Sequence, residues 1–277
     1  MSRVTLWRSV VLASMTLLSL VACDITTAPG RPTPTSTPIP TAPKKSIVFC
    51  ADETGSYPER TYFRPAVNKM ADWIEKLVQP AQDGTLIYIR WINFNSYSDQ
   101  SQALAPIEIP AIEPYPAALT PLPSPQPFRP DQRATATIGT QQTKTAYDDT
   151  RKRVDNGVSQ TRLDIHQKVA GLRQLPYRSL GPSDIWGCPQ RATELFQAVK
   201  GAKYLVIASD MEIVGPQQRV EVHLDGVKVI VIDYKCDSAF ECSSKTKYWN
   251  TELGKAGAAS VTFYSPDQTT AIDQLFS

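Results

Sequence analysis

Ile47-Val-Phe-Cys-Ala-Asp52-Glu-Thr54-Gly-Ser56 is the stretch on which the reading of this chain turns. An uncharged, mostly apolar run ends in an aspartate, and two hydroxyl side chains follow at alternate positions. So short an apolar run, closed by polar residues, fits a strand buried on both faces of a sheet. Such a strand delivers one carboxylate to its C-terminal end, where a turn can aim Thr54 and Ser56 at the same point. One anionic and two neutral oxygens are hard donors, suited to a small hard cation such as Mg²⁺. The competing reading is a capped turn, in which the three side chains satisfy backbone N–H groups.

Working outward, the pattern alternates between strand and helix. Phe63, Val67, Met70, Ile74 and Val78 recur at helical spacing after the first strand. Thr85 to Phe94 is rich in β-formers and reads as a second strand. Pro106 to Ile112 is a weaker candidate, and its prolines at 106 and 110 confine it to a sheet edge. After residue 180 the alternation resumes: helix from Pro189 to Val199, strand from Tyr204 to Ser209 ahead of Asp210, strand from Val227 to Tyr234. Helix from Ser243 to Lys255, strand from Ser260 to Tyr264 and helix from Asp267 to Phe276 complete it. This order predicts an α/β fold with a doubly wound, mostly parallel sheet flanked by helices. Ligand sites in such sheets form at the carboxyl ends of strands, near the topological switch point, where Asp52 and Asp210 are both expected.

Residues 113–178 interrupt that alternation as an insertion. It begins as a Pro-rich loop and continues from about Pro130 to Leu175 as a polar, helix-prone segment. Tyr147, Val154, Val158, Ile165, Val169 and Leu172 form a narrow apolar stripe, which predicts a long, largely solvated helix with a break near Asn156-Gly157.

Three segments now converge: Asp52-x-Thr54-x-Ser56, Ser183 in Gly-Pro-Ser-Asp-Ile, and Asp210 in Val-Ile-Ala-Ser-Asp-Met. Together they resemble the metal-ion-dependent adhesion site (MIDAS) of von Willebrand factor type A (VWA) domains, whose pattern is D-x-[ST]-x-S, a Thr on a second loop and an Asp after the next core strand. The resemblance covers roughly 45–112 and 180–276. It implies a Rossmann-like fold and Asp52, Thr54, Ser56, Ser183 and Asp210 as ligands of Mg²⁺, or of Mn²⁺ or Ca²⁺. Ser183 stands where threonine is usual, and Asp184 is the nearest carboxylate should Ser183 be misassigned. Glu53, Tyr57 and Trp186 are candidates for a rim around the metal. The implied function is cation-dependent capture of a protein ligand through an exposed acidic residue, without catalysis. A metal-assisted hydrolase is one alternative, although no general base is evident. The other is a scaffold that docks a membrane complex through the helical insertion.

The N-terminus bears on where such a domain works. Arg3 and Arg8 precede an uncharged apolar run from Val10 to Val21, the shape of a signal-peptide core and too short for an ordinary membrane span. Leu20-Val21-Ala22-Cys23 resembles the lipobox of bacterial lipoproteins, which implies cleavage after residue 22 and acylation (palmitate among the chains) of Cys23. Residues 23–45 alternate Pro and Thr with almost no apolar bulk and read as an extended tether. Residues 46–277 then form the displayed domain, on the extracytoplasmic face of a bacterial cell membrane.

Removing Arg3 and Arg8 from the 29 basic residues leaves 27 against 27 acidic ones, so no nucleic-acid surface is indicated. Only two histidines occur, His166 and His223, which gives little material for a zinc site or a histidine-based triad. Beyond Cys23 there are four cysteines, and three pairings are open. Cys236 and Cys242 share one polar loop and can close a small ring, which leaves Cys50 and Cys188.

Overall fold

A computed structural model of the chain describes residues 44–119, 130–178, 181–197, 199–213, 221–266 and 268. The chain divides into two units, Met1–Pro40 and Thr41–Ser277, the first of which lies outside the described residues. The expected signal peptide, Cys23 and all of the tether but Lys44 and Lys45 therefore fall outside, as does most of the C-terminal helix expected from Asp267. Among the described residues no helix is long and apolar enough to cross a membrane.

Six strands form one sheet: β1 (Lys45–Asp52), β2 (Thr85–Ile92), β3 (Ile107–Ile109), β4 (Ala202–Ala208), β5 (Val227–Ile232) and β6 (Ser260–Phe263). Their order is β3-β2-β1-β4-β5-β6, parallel throughout except for the antiparallel edge strand β3. From β1 the chain winds outward to β3, then returns to β4 beside β1 and winds the other way. The switch point thus lies between β1 and β4.

Strand β1 is central and buried on both faces, which is why its sequence is a near-continuous apolar run. Ile47, Phe49 and Ala51 face one core, Val48 and Cys50 the other. The first core is closed by α1 (Arg64–Lys76), whose Val67, Met70 and Ile74 are buried. A π-helical turn, Glu59–Phe63, leads into α1, and Pro65 sits in its first turn, where its missing N–H costs nothing. The second core is closed by Cys188, Ala192 and Phe196 of α3 (Gly187–Gln197) and by Trp249 and Leu253 of α4 (Ala239–Lys255). Two disulfides are present, Cys50–Cys188 joining β1 to α3, and Cys236–Cys242 closing the loop before α4.

The insertion forms α2 (Pro130–Gln174), a single continuous helix of 45 residues. The expected break at Asn156-Gly157 does not occur. Val154 and Val158 on either side are buried, and that burial outweighs the roughly 1 kcal/mol by which glycine disfavours a helix. The second half of α2 packs on α1 through Ile165, Val169 and Leu172, and Arg173 bridges Asp72 (2.6 Å) and Glu75 (3.1 Å) of α1. Gly157 is exposed and a Cβ there would meet nothing within 4 Å. Gly157→Ala should therefore stabilise the chain by about 0.5–1 kcal/mol, read as a rise in the urea midpoint with an unchanged slope.

Candidate functional site

The turn after β1 brings the motif side chains together. Asp52 is the last residue of β1 and fully buried. Its Oδ1 accepts from the backbone N–H of Thr54 (2.9 Å) and from the Thr54 hydroxyl (2.6 Å). The carbonyl of Thr54 accepts from the N–H of Tyr57 (3.0 Å), closing a tight turn that places Thr54 and Ser56 on one side, with 3.2 Å between their hydroxyl oxygens. Ser183, just ahead of α3, lies 2.8 Å from the Thr54 hydroxyl although 129 residues separate them.

Asp184 is committed elsewhere. Its carboxylate accepts from the N–H of Ser96 and, across the start of α3, from the N–H of Gly187, each at 3.0 Å. A Cβ on Gly187 would sit 2.1 Å from the Asp184 carboxylate, so glycine is required for this approach. Ser183, not Asp184, is the side chain brought to the Thr54 hydroxyl.

The partner strand supplies the rest. Ala51 pairs with Ala208 in the β1–β4 register, so the residues that follow emerge side by side. Ser209 donates its hydroxyl to Asp52 Oδ2 (2.7 Å) and accepts from the N–H of Met211 (2.9 Å). Asp210 accepts from the N–H of Glu212 (3.0 Å) and receives a hydrogen bond from Ser56. Met211 adopts a positive φ of 57°, and its carbonyl accepts from the indole N–H of Trp249 (3.0 Å), fixing the segment against α4.

Ser209 is a participant that the motif did not single out. The only sequence signal for it is a hydroxyl residue beside Asp210. A second is Tyr177, just beyond α2, whose phenol donates to the carbonyls of Thr54 (2.7 Å) and Tyr57 (3.3 Å).

Of the expected rim residues, two are enclosed. Tyr57 is fully buried, its ring 5.4 Å from that of Tyr62. Glu53 is fully buried as well, and its Oε1 accepts from Asn93 Nδ2 (3.1 Å). Neither can line an open rim. Trp186 is partly buried against Trp249, with ring centroids 5.1 Å apart. The accessible side of the cluster is formed by Gly55, Ser56 and the edge of Asp210.

Electrostatically the cluster is costly as it stands. Burial pushes the Asp52 carboxyl up to about 6, against the hydrogen bonds from Thr54 and Ser209, and the charge of Asp210 adds to the rise. Burial also raises Asp210, with the Glu212 charge adding to the effect. No Lys, Arg or His among the described residues forms an ion pair with either carboxylate. Lys245 acts on Asp210 through its charge but pairs with Glu241. Two desolvated carboxylates with no ion-paired cation, joined by hydroxyls, suit a hard divalent cation in donor chemistry. Among the described residues no group of three or more His, Cys, Asp or Glu is placed to hold a metal ion, so any such site rests on two carboxylates supplemented by hydroxyl oxygens. Both histidines lie apart from it. His166 of α2 contacts Glu75 of α1 (3.1 Å), and His223 contacts Glu221 (3.2 Å).

By sequence, no family model matches the chain, and no curated protein matches it. Among solved structures it is similar to proximal thread matrix protein 1 from the mussel byssus, at 14% identity and a TM-score of 0.40, over 85% of this chain and 47% of that one. It is also similar to the human COPII-coat protein Sec24c, at 10% identity and a TM-score of 0.36, over 85% of this chain and 31% of that one. The chain thus spans less than half the length of either, and likenesses this distant carry no argument about family or function.

Proposed function

We propose that the folded domain is a VWA-type, metal-dependent binding domain that captures an acidic protein ligand, displayed on the extracytoplasmic face of a bacterial membrane by a lipid on Cys23. The observation that carries this reading is the convergence of Asp52, Thr54, Ser56, Ser183 and Asp210 from three loops at the switch point of the sheet. Asp52 and Asp210 would supply the charge that holds Mg²⁺, or Mn²⁺ or Ca²⁺, and the three hydroxyls the neutral oxygens. A bound cation would supply the positive charge that attracts a carboxylate of the partner. This chain's own contribution is to hold the five oxygens in one place and to keep the surroundings dry, which strengthens the attraction for an incoming anion. Two disulfides support an oxidising compartment, in keeping with a location outside the cytoplasm.

A second reading has an observation of its own. Between Thr140 and Arg153 the side chains of α2 are exposed apart from the half-buried Tyr147 and Thr150, so this half of the helix is available to a scaffold partner.

Capture separates the two. The immobilised chain should retain Asp- or Glu-bearing members of a random peptide library in millimolar Mg²⁺ and release them in EDTA. Retention that ignores EDTA but disappears on deleting 131–175 would select the scaffold reading instead.

A further inference from the structure

Tyr177, three residues beyond the end of α2, reaches the turn of the candidate cation site. Tyr177 lies 123 residues from Thr54 in sequence, yet its hydroxyl donates to the Thr54 carbonyl at 2.7 Å and to that of Tyr57 at 3.3 Å. These carbonyls bound the turn that carries the Thr54 and Ser56 hydroxyls. The Thr54 carbonyl already accepts the Tyr57 N–H that closes the turn, so Tyr177 fills its second lone pair.

The tyrosine is itself held from several sides. Its ring packs on Phe63, with centroids 5.1 Å apart, and Phe63 packs on Trp91 at 5.3 Å. Arg64, at the start of α1, donates to the Leu175 carbonyl at 2.7 Å and pairs with Glu59 at 2.8 Å. Two residues before Leu175, Arg173 is clamped by Asp72 and Glu75. An unbroken series of contacts therefore runs from the docked half of α2, through Leu175 and Tyr177, to the backbone of the donor turn.

We infer that Tyr177 is a positioning residue of the cation site, so that the end of the helical insertion is a working part of that site and not an appendage to it. This rests on the cation-binding reading above. Tyr177 touches neither the cation nor its donor oxygens; it acts through the backbone of the turn, fixing where the Thr54 and Ser56 hydroxyls point. Without its hydroxyl the turn keeps its own N–H to carbonyl bond but loses the tie to α2, and the donor set must be ordered again each time a cation binds. That ordering cost falls on affinity.

The test uses the full chain with Mn²⁺ alone as the titrant, comparing wild type, Tyr177→Phe and Tyr115→Phe. Phenylalanine retains the ring contacts with Phe63. Tyr115 is the control because its hydroxyl also ties the insertion together, donating to Asp155 of α2 at 2.6 Å, but makes no contact with the turn. Tyr177→Phe should bind Mn²⁺ about fivefold to tenfold more weakly, the value of one hydrogen bond lost. Its melting temperature in EDTA should fall by only about 2–4 °C. Tyr115→Phe should bind Mn²⁺ like wild type. Equal affinities for wild type and Tyr177→Phe would overturn this inference and leave the cation-binding reading standing. An equal loss in both variants would also overturn it, by showing a general loosening. Absence of Mn²⁺ binding in wild type would overturn both.

Discussion

Cys188→Ser should cost about 5 kcal/mol of stability. The Cys50–Cys188 bridge closes a loop with a sequence separation of 138, and the chain entropy it removes from the unfolded state grows with the logarithm of that length. Both cysteines are fully buried, and the bridge fastens α3 to the central strand two residues before Asp52. The Cys236–Cys242 ring has a separation of only 6, for which the same argument gives ~2 kcal/mol. Chemical denaturation of Cys188→Ser and Cys242→Ser should therefore rank them in that order. The long bridge has a functional consequence too. It holds the start of α3, and with it Ser183, against β1, so Cys188→Ser should weaken cation binding whereas Cys242→Ser should not. Equal losses of stability in the two variants would mean that the loop-entropy argument does not govern this fold.

The second large effect has the opposite sign. Asp52→Asn should make the metal-free chain more stable at pH 7, by up to ~3 kcal/mol, while abolishing its response to divalent cations. The folded Asp52 carboxyl titrates at about 6, mainly because it is buried, whereas an unfolded aspartate titrates near 3.9. A carboxyl raised in the folded state favours folding while protonated. Its contribution is complete below about pH 4 and is lost as the pH rises through 6. Metal-free wild type should thus lose stability between pH 4 and 7, and Asp52→Asn should lose less. The amide can keep the geometry, since its oxygen still accepts from Thr54 and its NH₂ can donate to Ser209, whose hydroxyl donates to Asp52 Oδ2 in wild type. A variant that is both less stable and insensitive to pH would show that Asp52 serves only as a turn cap.

The contrast between these two effects reflects what a sequence exposes. β1 was legible because a central parallel strand is buried on both faces and so carries an uninterrupted apolar run. The edge position of β3 followed from two prolines that cannot donate to a ladder. The meeting of Asp52, Thr54, Ser56, Ser183 and Asp210 was legible because motif spacing and strand ends are one-dimensional facts. The directions of neighbouring side chains are not. Glu53 and Tyr57 lie beside these residues in sequence, but both side chains point inward, Glu53 to Asn93 and Tyr57 into the core. Ser209 and Tyr177 were missed for a related reason. The role of Ser209 depends on the register of β1 against β4, and that of Tyr177 on where a 45-residue helix returns the chain. Gly157 misled in the other direction, because local propensity at an exposed position yields to the burial of Val154 and Val158 beside it.

The most direct measurement is a calorimetric titration of Mn²⁺ into the metal-stripped full chain, wild type beside Asp52→Asn. One saturable site per chain in wild type and none in the variant is the predicted result. No binding in wild type, or the same binding in both, would contradict a cation site built on Asp52.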